Sequence, residues 1–125
     1  EPYRVKVAGA PGALAALTSP DSEPGVRALI PQGYEPREDV AAGIFLKLPY
    51  YRPGLVTKFV KAPILFCLAD LDAVTPVEPA LKAAADARSA EVKRYPVGHF
   101  DVYVGETFEI AVRDQIDFLN RHLGR

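Results

Sequence analysis

Two short loops carry the residues best suited to chemistry. One is Ala69-Asp70-Leu71-Asp72-Ala73-Val74-Thr75-Pro76 and the other is Tyr95-Pro96-Val97-Gly98-His99-Phe100-Asp101. A carboxylate that accepts a proton from one imidazole nitrogen holds the ring in one tautomer and stabilises the imidazolium. The second nitrogen is then free to take a proton from a nucleophile. Imidazole suits this task because it gains and loses a proton near working pH. Asp72 is the candidate acid, preferred to Asp70 by its spacing from the apolar run before it, and His99 is the candidate base. The plainer readings are that Asp72 caps a helix or solvates its loop and that His99 is structural. A metal reading of Asp70, Asp72, His99, Asp101 and Glu106 finds no recognised ligand spacing behind it.

The elements that must hold these loops are legible in the second half. Ile64-Leu65-Phe66-Cys67-Leu68-Ala69 is an unbroken apolar run that reads as a parallel strand buried on both faces. Thr75-Pro76-Val77-Glu78 resembles a helix start, with Thr75 as N-cap, and the helix is expected to run to about Ala87. Residues 91–95 alternate and form the next strand, nearer the sheet edge. Phe108, Val112, Ile116, Leu119 and Leu123 repeat at helical spacing over residues 107–123, with Gly124 as the stop. His122 is read as a cation at the negative end of that helix. Strand, helix, strand, helix implies a parallel crossover, which delivers both loops to the carboxyl edge of the sheet, where open α/β sheets bind ligands.

The first half differs. Nine of the twelve prolines lie at or before Pro63. Such punctuation admits only short elements: a strand near residues 3–7, a helix near 22–29, and a helix over 39–47. The last is expected to start at an Asp39 N-cap and to stop before Pro49, with Val40, Ala41, Ile44, Phe45 and Leu48 as a core-packing stripe. Residues 1–61 thus read as a mainly helical cap segment, adding no central strand, and residues 62–125 as a strand-helix-strand-helix unit.

From about Ala62 onward, the strand, the acid loop running into Thr-Pro, the Tyr95-Pro96-x-Gly98-His99-Phe100-Asp101 loop and the closing helix together resemble the C-terminal part of the α/β-hydrolases. The esterase, dienelactone-hydrolase-like and prolyl-peptidase-like branches are the most similar. The resemblance implies an α/β fold with an incomplete parallel sheet, a cap over it, and Asp72 and His99 as triad acid and base. It implies no cofactor and no metal. Ala69 stands where the family usually has Gly. The family's nucleophile lies in Gly-x-Ser-x-Gly on a strand-to-helix turn, and no such pentapeptide occurs here. Ser19, Ser22 and Ser89 have no such surroundings, and Cys67 lies within a strand expected to be buried. The expected function is therefore the C-terminal part of a serine hydrolase cleaving an ester, thioester or amide. The alternatives are a dehalogenase-like hydrolase with an aspartate nucleophile, and a non-catalytic interaction module.

Composition limits the partners. Apolar residues make up 49% of the chain, enough for a core, and the formal net charge is -1 with no basic block, which argues against nucleic acid. No apolar run approaches the ~18 residues that span a bilayer, and the first residues are not a secretory signal, so no membrane association is expected. One cysteine allows no internal disulfide and fits a reducing cytoplasm. The chain has no methionine, which leads us to expect further sequence before Glu1. The expected partners are a small-molecule substrate and, for the chain by itself, a second copy, because a strand apolar on both faces leaves an edge to be paired.

Overall fold

Between its prolines, the first part of the chain builds a small sheet. In the computed structural model, which describes residues 1–124, strands β1 (Arg4–Ala8), β2 (Ala15–Leu17) and β3 (Asp39–Ala41) pair in the order β2-β1-β3. β2 runs parallel to β1, and β3 antiparallel with Val5 opposite Val40. Helix α1 (Ser22–Ala28) lies between β2 and β3 in sequence. The backbone returns from β1 to β2 through Gly9, where a Cβ would come within 3.0 Å of the Ala13 Cβ, and Gly12 at φ 84°.

Short helical elements make up more of this stretch than strands do, as expected, and the small sheet is added to them. Strands of three to five residues fit between prolines, and none of the prolines falls inside a strand. The helix expected over residues 39–47 does not form. Asp39 is in β3, and Ala42–Leu46 and Leu48–Tyr50 are short 3₁₀ turns. Asp39 is drawn into the strand by a long-range partner, Arg4, whose Nε donates to its carboxylate at 2.6 Å; the neighbouring Arg37 Nε donates to the other oxygen at 2.6 Å. Gly43 then weakens any continuing helix. The stripe of Ile44, Phe45 and Leu48 stays exposed rather than packing into a core.

The Arg4 bond first, then the Arg37 bond, lower the Asp39 pKa from 3.8 to about 2. A carboxylate with a depressed folded pKa contributes stability above its ordinary value and loses it as pH falls through the folded one. A carbon-detected titration of Asp39 is therefore expected to centre near 2, with β1–β3 amide protection weakening on the way down. A midpoint at the ordinary carboxylate value would show that the ion pair does not hold in solution.

The second unit, from Pro53 onward, has the expected strand and helix order. Strand β4 (Ile64–Ala69) lies parallel to β5 (Ala90–Tyr95), from Ile64 opposite Ala90 to Ala69 opposite Tyr95. Helix α2 (Glu78–Asp86) makes the crossover and α3 (Gly105–Leu123) closes the unit. Gly124 ends α3 in the left-handed conformation at φ 68°. The 3₁₀ segment Pro53–Phe59 belongs with this unit. The Thr57 hydroxyl reaches the carbonyls of Gly54 and Ala83 at 2.9 and 3.0 Å.

The buried faces differ from those read in the periodicity. On α3 the buried residues are Ala111 and Phe118, while Ile116 and Leu119 of the expected stripe are half exposed and Leu123 is largely exposed. The face of β5 toward α3 carries Glu91, Lys93 and Tyr95, and these select polar partners on the helix. Glu91 receives Arg121 and His122, and Asp114 receives Lys93 at 2.9 Å and the Tyr95 hydroxyl at 2.9 Å. His122 is thus bonded across to the strand rather than only to its own helix end. On β4 only Leu68 and Ala69 are buried and Cys67 is exposed, so the expectation of a strand covered on both faces does not hold in this chain. Among the described residues β4 pairs only with β5, which leaves its other edge without a neighbouring strand.

Candidate active site

Both loops leave the carboxyl ends of β4 and β5, and the backbone ties them together. The Asp70 N–H donates to the Tyr95 carbonyl at 2.8 Å and the Leu71 N–H to the Val97 carbonyl at 3.0 Å. Phe100, buried, anchors the second loop beneath His99 with its ring edge-on at 4.8 Å. The Asp101 carboxylate accepts from the Gly98 N–H at 2.9 Å and closes the turn.

His99 Nδ1 lies 2.7 Å from Asp72 Oδ2. The Asp72 side chain is 10% exposed and that of His99 25%. The other oxygen, Oδ1, accepts from the Val74 and Thr75 N–H groups at 2.8 and 2.7 Å, and Oδ2 also accepts from the Thr75 hydroxyl at 2.8 Å. Burial pushes the Asp72 carboxyl up. The hydrogen bonds from the Thr75 N–H, His99, the Thr75 hydroxyl and the Val74 N–H outweigh it and hold the pKa below the ordinary carboxylate value. An ionised carboxylate only accepts, so the short contact assigns the proton to His99 Nδ1 and the lone pair to Nε2. Among the described residues Nε2 has no hydrogen-bond partner, so it is available as a base.

Asp70, the rejected acid, is engaged elsewhere, accepting from Arg94 Nε at 2.8 Å. Among the described residues no group of three or more His, Cys, Asp or Glu side chains is placed to hold a metal. A cleft of about 200 Å³ lies against the pair, lined by Leu68, Asp72, Thr75, Val77, His99 and Tyr103. A larger pocket of about 370 Å³ belongs to the first unit, lined by Val26, Ile30 and Tyr34 among others, and contains no acid–histidine pair.

Neither Ser22 nor Ser89 is placed as a nucleophile for this pair. Ser22 is fully buried against the Ser19 hydroxyl at 2.5 Å. The Ser89 carbonyl accepts from the Ile64 N–H at the opposite end of the strands from His99, roughly 20 Å away along six residues. Cys67 is not the buried residue expected, but it sits within β4 rather than on a strand-to-helix turn.

Thr75 is the residue whose role the sequence reading missed. It does not cap α2, which starts at Glu78 after Val77, and its hydroxyl is turned back to Asp72. The spacing was a usable signal, since an Asp side chain commonly accepts from the N–H groups two and three residues later and so closes its own loop.

No family model matches the chain. It is 43% identical over 121 residues, 97% of its length, to the quorum-quenching protein AidA of Acinetobacter baumannii (strain MDR-ZJ06), of which it spans 40%. Among solved structures, DcsB in complex with its substrate analogue superposes with a TM-score of 0.75 at 20% identity, over 98% of this chain and 44% of that one. The α/β-hydrolase GrgF of Penicillium sp. sh18 gives a TM-score of 0.66 at 19% identity, over the whole of this chain and 44% of that one. With the parallel β4–β5 pair, its crossover helix and the closing α3, the chain has the fold of the C-terminal part of the α/β-hydrolases.

Proposed function

We propose that the chain supplies the acid and the base of a serine-hydrolase triad, in a protein that cleaves an ester, thioester or amide. The observation that carries this reading is the 2.7 Å bond between Asp72 Oδ2 and His99 Nδ1, on the carboxyl edge of adjacent parallel strands. A serine outside these 125 residues attacks the substrate carbonyl while His99 Nε2 takes its proton. The imidazolium, stabilised by ionised Asp72, then gives the proton to the leaving group as the tetrahedral intermediate collapses. Water repeats the cycle on the acyl-enzyme. The donors for the developing oxyanion also come from outside the chain. The likeness to a quorum-quenching protein supports a small signal molecule with such a bond as the substrate. Among the described residues no helix is long and apolar enough to cross a membrane; the lone cysteine supports a reading of the protein as cytoplasmic.

The test uses the protein at the length of its relatives. A fluorophosphonate is expected to label one serine outside the 125 residues, and the label is expected to vanish in His99→Ala. The 125-residue chain alone is expected to hydrolyse an activated ester no faster than buffer, because nucleophile and oxyanion donors are missing. Labelling of Ser19, Ser22 or Ser89 would overturn the reading. So would turnover by the full-length protein with no labelled serine, which would move the nucleophile to another residue type.

A further inference from the structure

We propose that Thr75 is a positioning residue whose hydroxyl holds Asp72 Oδ2 in line with His99 Nδ1 and thereby selects the His99 tautomer; the catalytic meaning of this rests on the triad reading above.

The carboxylate of Asp72 has two anchors of different kinds. Oδ1 is pinned by two backbone N–H groups, from Val74 and Thr75. They leave Oδ2 free to swing about that anchor. Apart from the imidazole itself, the group that fixes Oδ2 is the Thr75 hydroxyl at 2.8 Å. The Thr75 hydroxyl oxygen itself lies 3.4 Å from His99 Nδ1. A hydroxyl has one proton, and here it is committed to the carboxylate, so Thr75 Oγ1 turns a lone pair toward Nδ1. A proton on Nδ1 therefore meets one short acceptor and one long one. A lone pair on Nδ1 would instead face two oxygens that have only lone pairs to offer. Thr75 thus works twice for the tautomer with Nε2 unprotonated, once by aiming the acid and once directly. Its side chain is exposed, so these contacts, rather than burial, account for its orientation.

The experiment is nitrogen-15 NMR of the His99 ring in the chain itself, where no turnover is needed. The chain as it stands and Thr75→Ser, which keeps the hydroxyl, are expected to show a protonated Nδ1 with a slowly exchanging proton. In Thr75→Val, which keeps the shape and the backbone donor, that proton is expected to be lost to exchange, with the ring nitrogens shifting toward a mixture of tautomers. Thr75→Ala is expected to match Thr75→Val, which guards against an effect of the branched side chain. Asp72→Asn is expected to abolish the Nδ1 proton altogether. Should Thr75→Val and Thr75→Ala keep the native signal while Asp72→Asn loses it, the acid–base pair stands without Thr75 and only this proposal is overturned. An unchanged ring in all variants, Asp72→Asn included, would remove the pair and with it the triad reading. In the full-length protein Thr75→Val is expected to lower kcat about tenfold, the scale of one hydrogen bond to a charged group. KM is expected to stay within twofold and Thr75→Ser to restore kcat. A change confined to KM would overturn the proposal.

Discussion

Asp72→Asn, made in the full-length protein, is expected to lower kcat by about 10⁴-fold while the fold stays intact. The argument comes from the donors around the carboxylate. Val74 and Thr75 direct two backbone N–H groups at Oδ1. In asparagine that position must therefore be taken by the amide oxygen. The NH₂ group then falls where Oδ2 was, facing His99 Nδ1 and the Thr75 hydroxyl. An NH₂ there donates to Nδ1, so the imidazole proton moves to Nε2. The base is left in the tautomer that cannot accept from a serine, and the imidazolium loses its counter-charge. His99→Ala is expected to cost at least as much, and the double variant little more, because the residues act as a unit. Asp70→Asn is the control. Its carboxylate serves Arg94, so activity is expected to stay within a fewfold. Steady-state kinetics with one activated ester decide among these. Retention of activity within tenfold in Asp72→Asn, or an equal loss in Asp70→Asn, would overturn the assignment of the acid.

The second large effect concerns association. The 125-residue chain is expected to sediment as a dimer or larger at micromolar concentration, at twice its 13.6 kDa or more. Among the described residues strand β4 is paired on one side only, and the N–H and C=O groups of its other edge are a template for another strand. Beside that edge, Ile64, Leu65, Phe118 and Leu119 line an open apolar depression of about 490 Å³, and Ile116 and Leu119 are half exposed along α3. Burying each Leu-sized side chain contributes ~1.5–3 kcal/mol, so several across a twofold contact outweigh a modest association cost. Leu119→Asp with Ile116→Asp is expected to return the chain to a monomer, because charge on that face opposes its burial. A 13.6 kDa monomer without these changes, binding no hydrophobic dye, would show that the exposed face needs no partner.

Local chemistry determined which elements form in the second unit. The apolar run of β4, the alternation of β5 and the long periodicity of α3 with its terminal Gly124 are properties of neighbouring residues, and the structure has them where the pattern put them. The meeting of Asp72 and His99 was legible for a related reason. Two parallel strands joined by one helix must open their following loops at the same edge, so the order of elements alone brings the loops together. What each element packs against was not legible. Asp39 has the chemistry of an N-cap, yet Arg4, 35 residues away, holds it in a strand. Thr75 has the same chemistry and is drawn to Asp72 instead of to a helix. The stripe on α3 is a true helical stripe, but the buried side is set by the face that β5 presents, and Glu91, Lys93 and Tyr95 select Arg121 and Asp114. The first unit shows the same limit: the prolines said where strands could not run, while the pairing of β1 with both β2 and β3 came from residues far apart in the chain. Propensity and periodicity are short-range, so they settle the type of an element. Partner, buried face and hydrogen-bond direction depend on groups brought close only by folding, and the tertiary structure alone decided them.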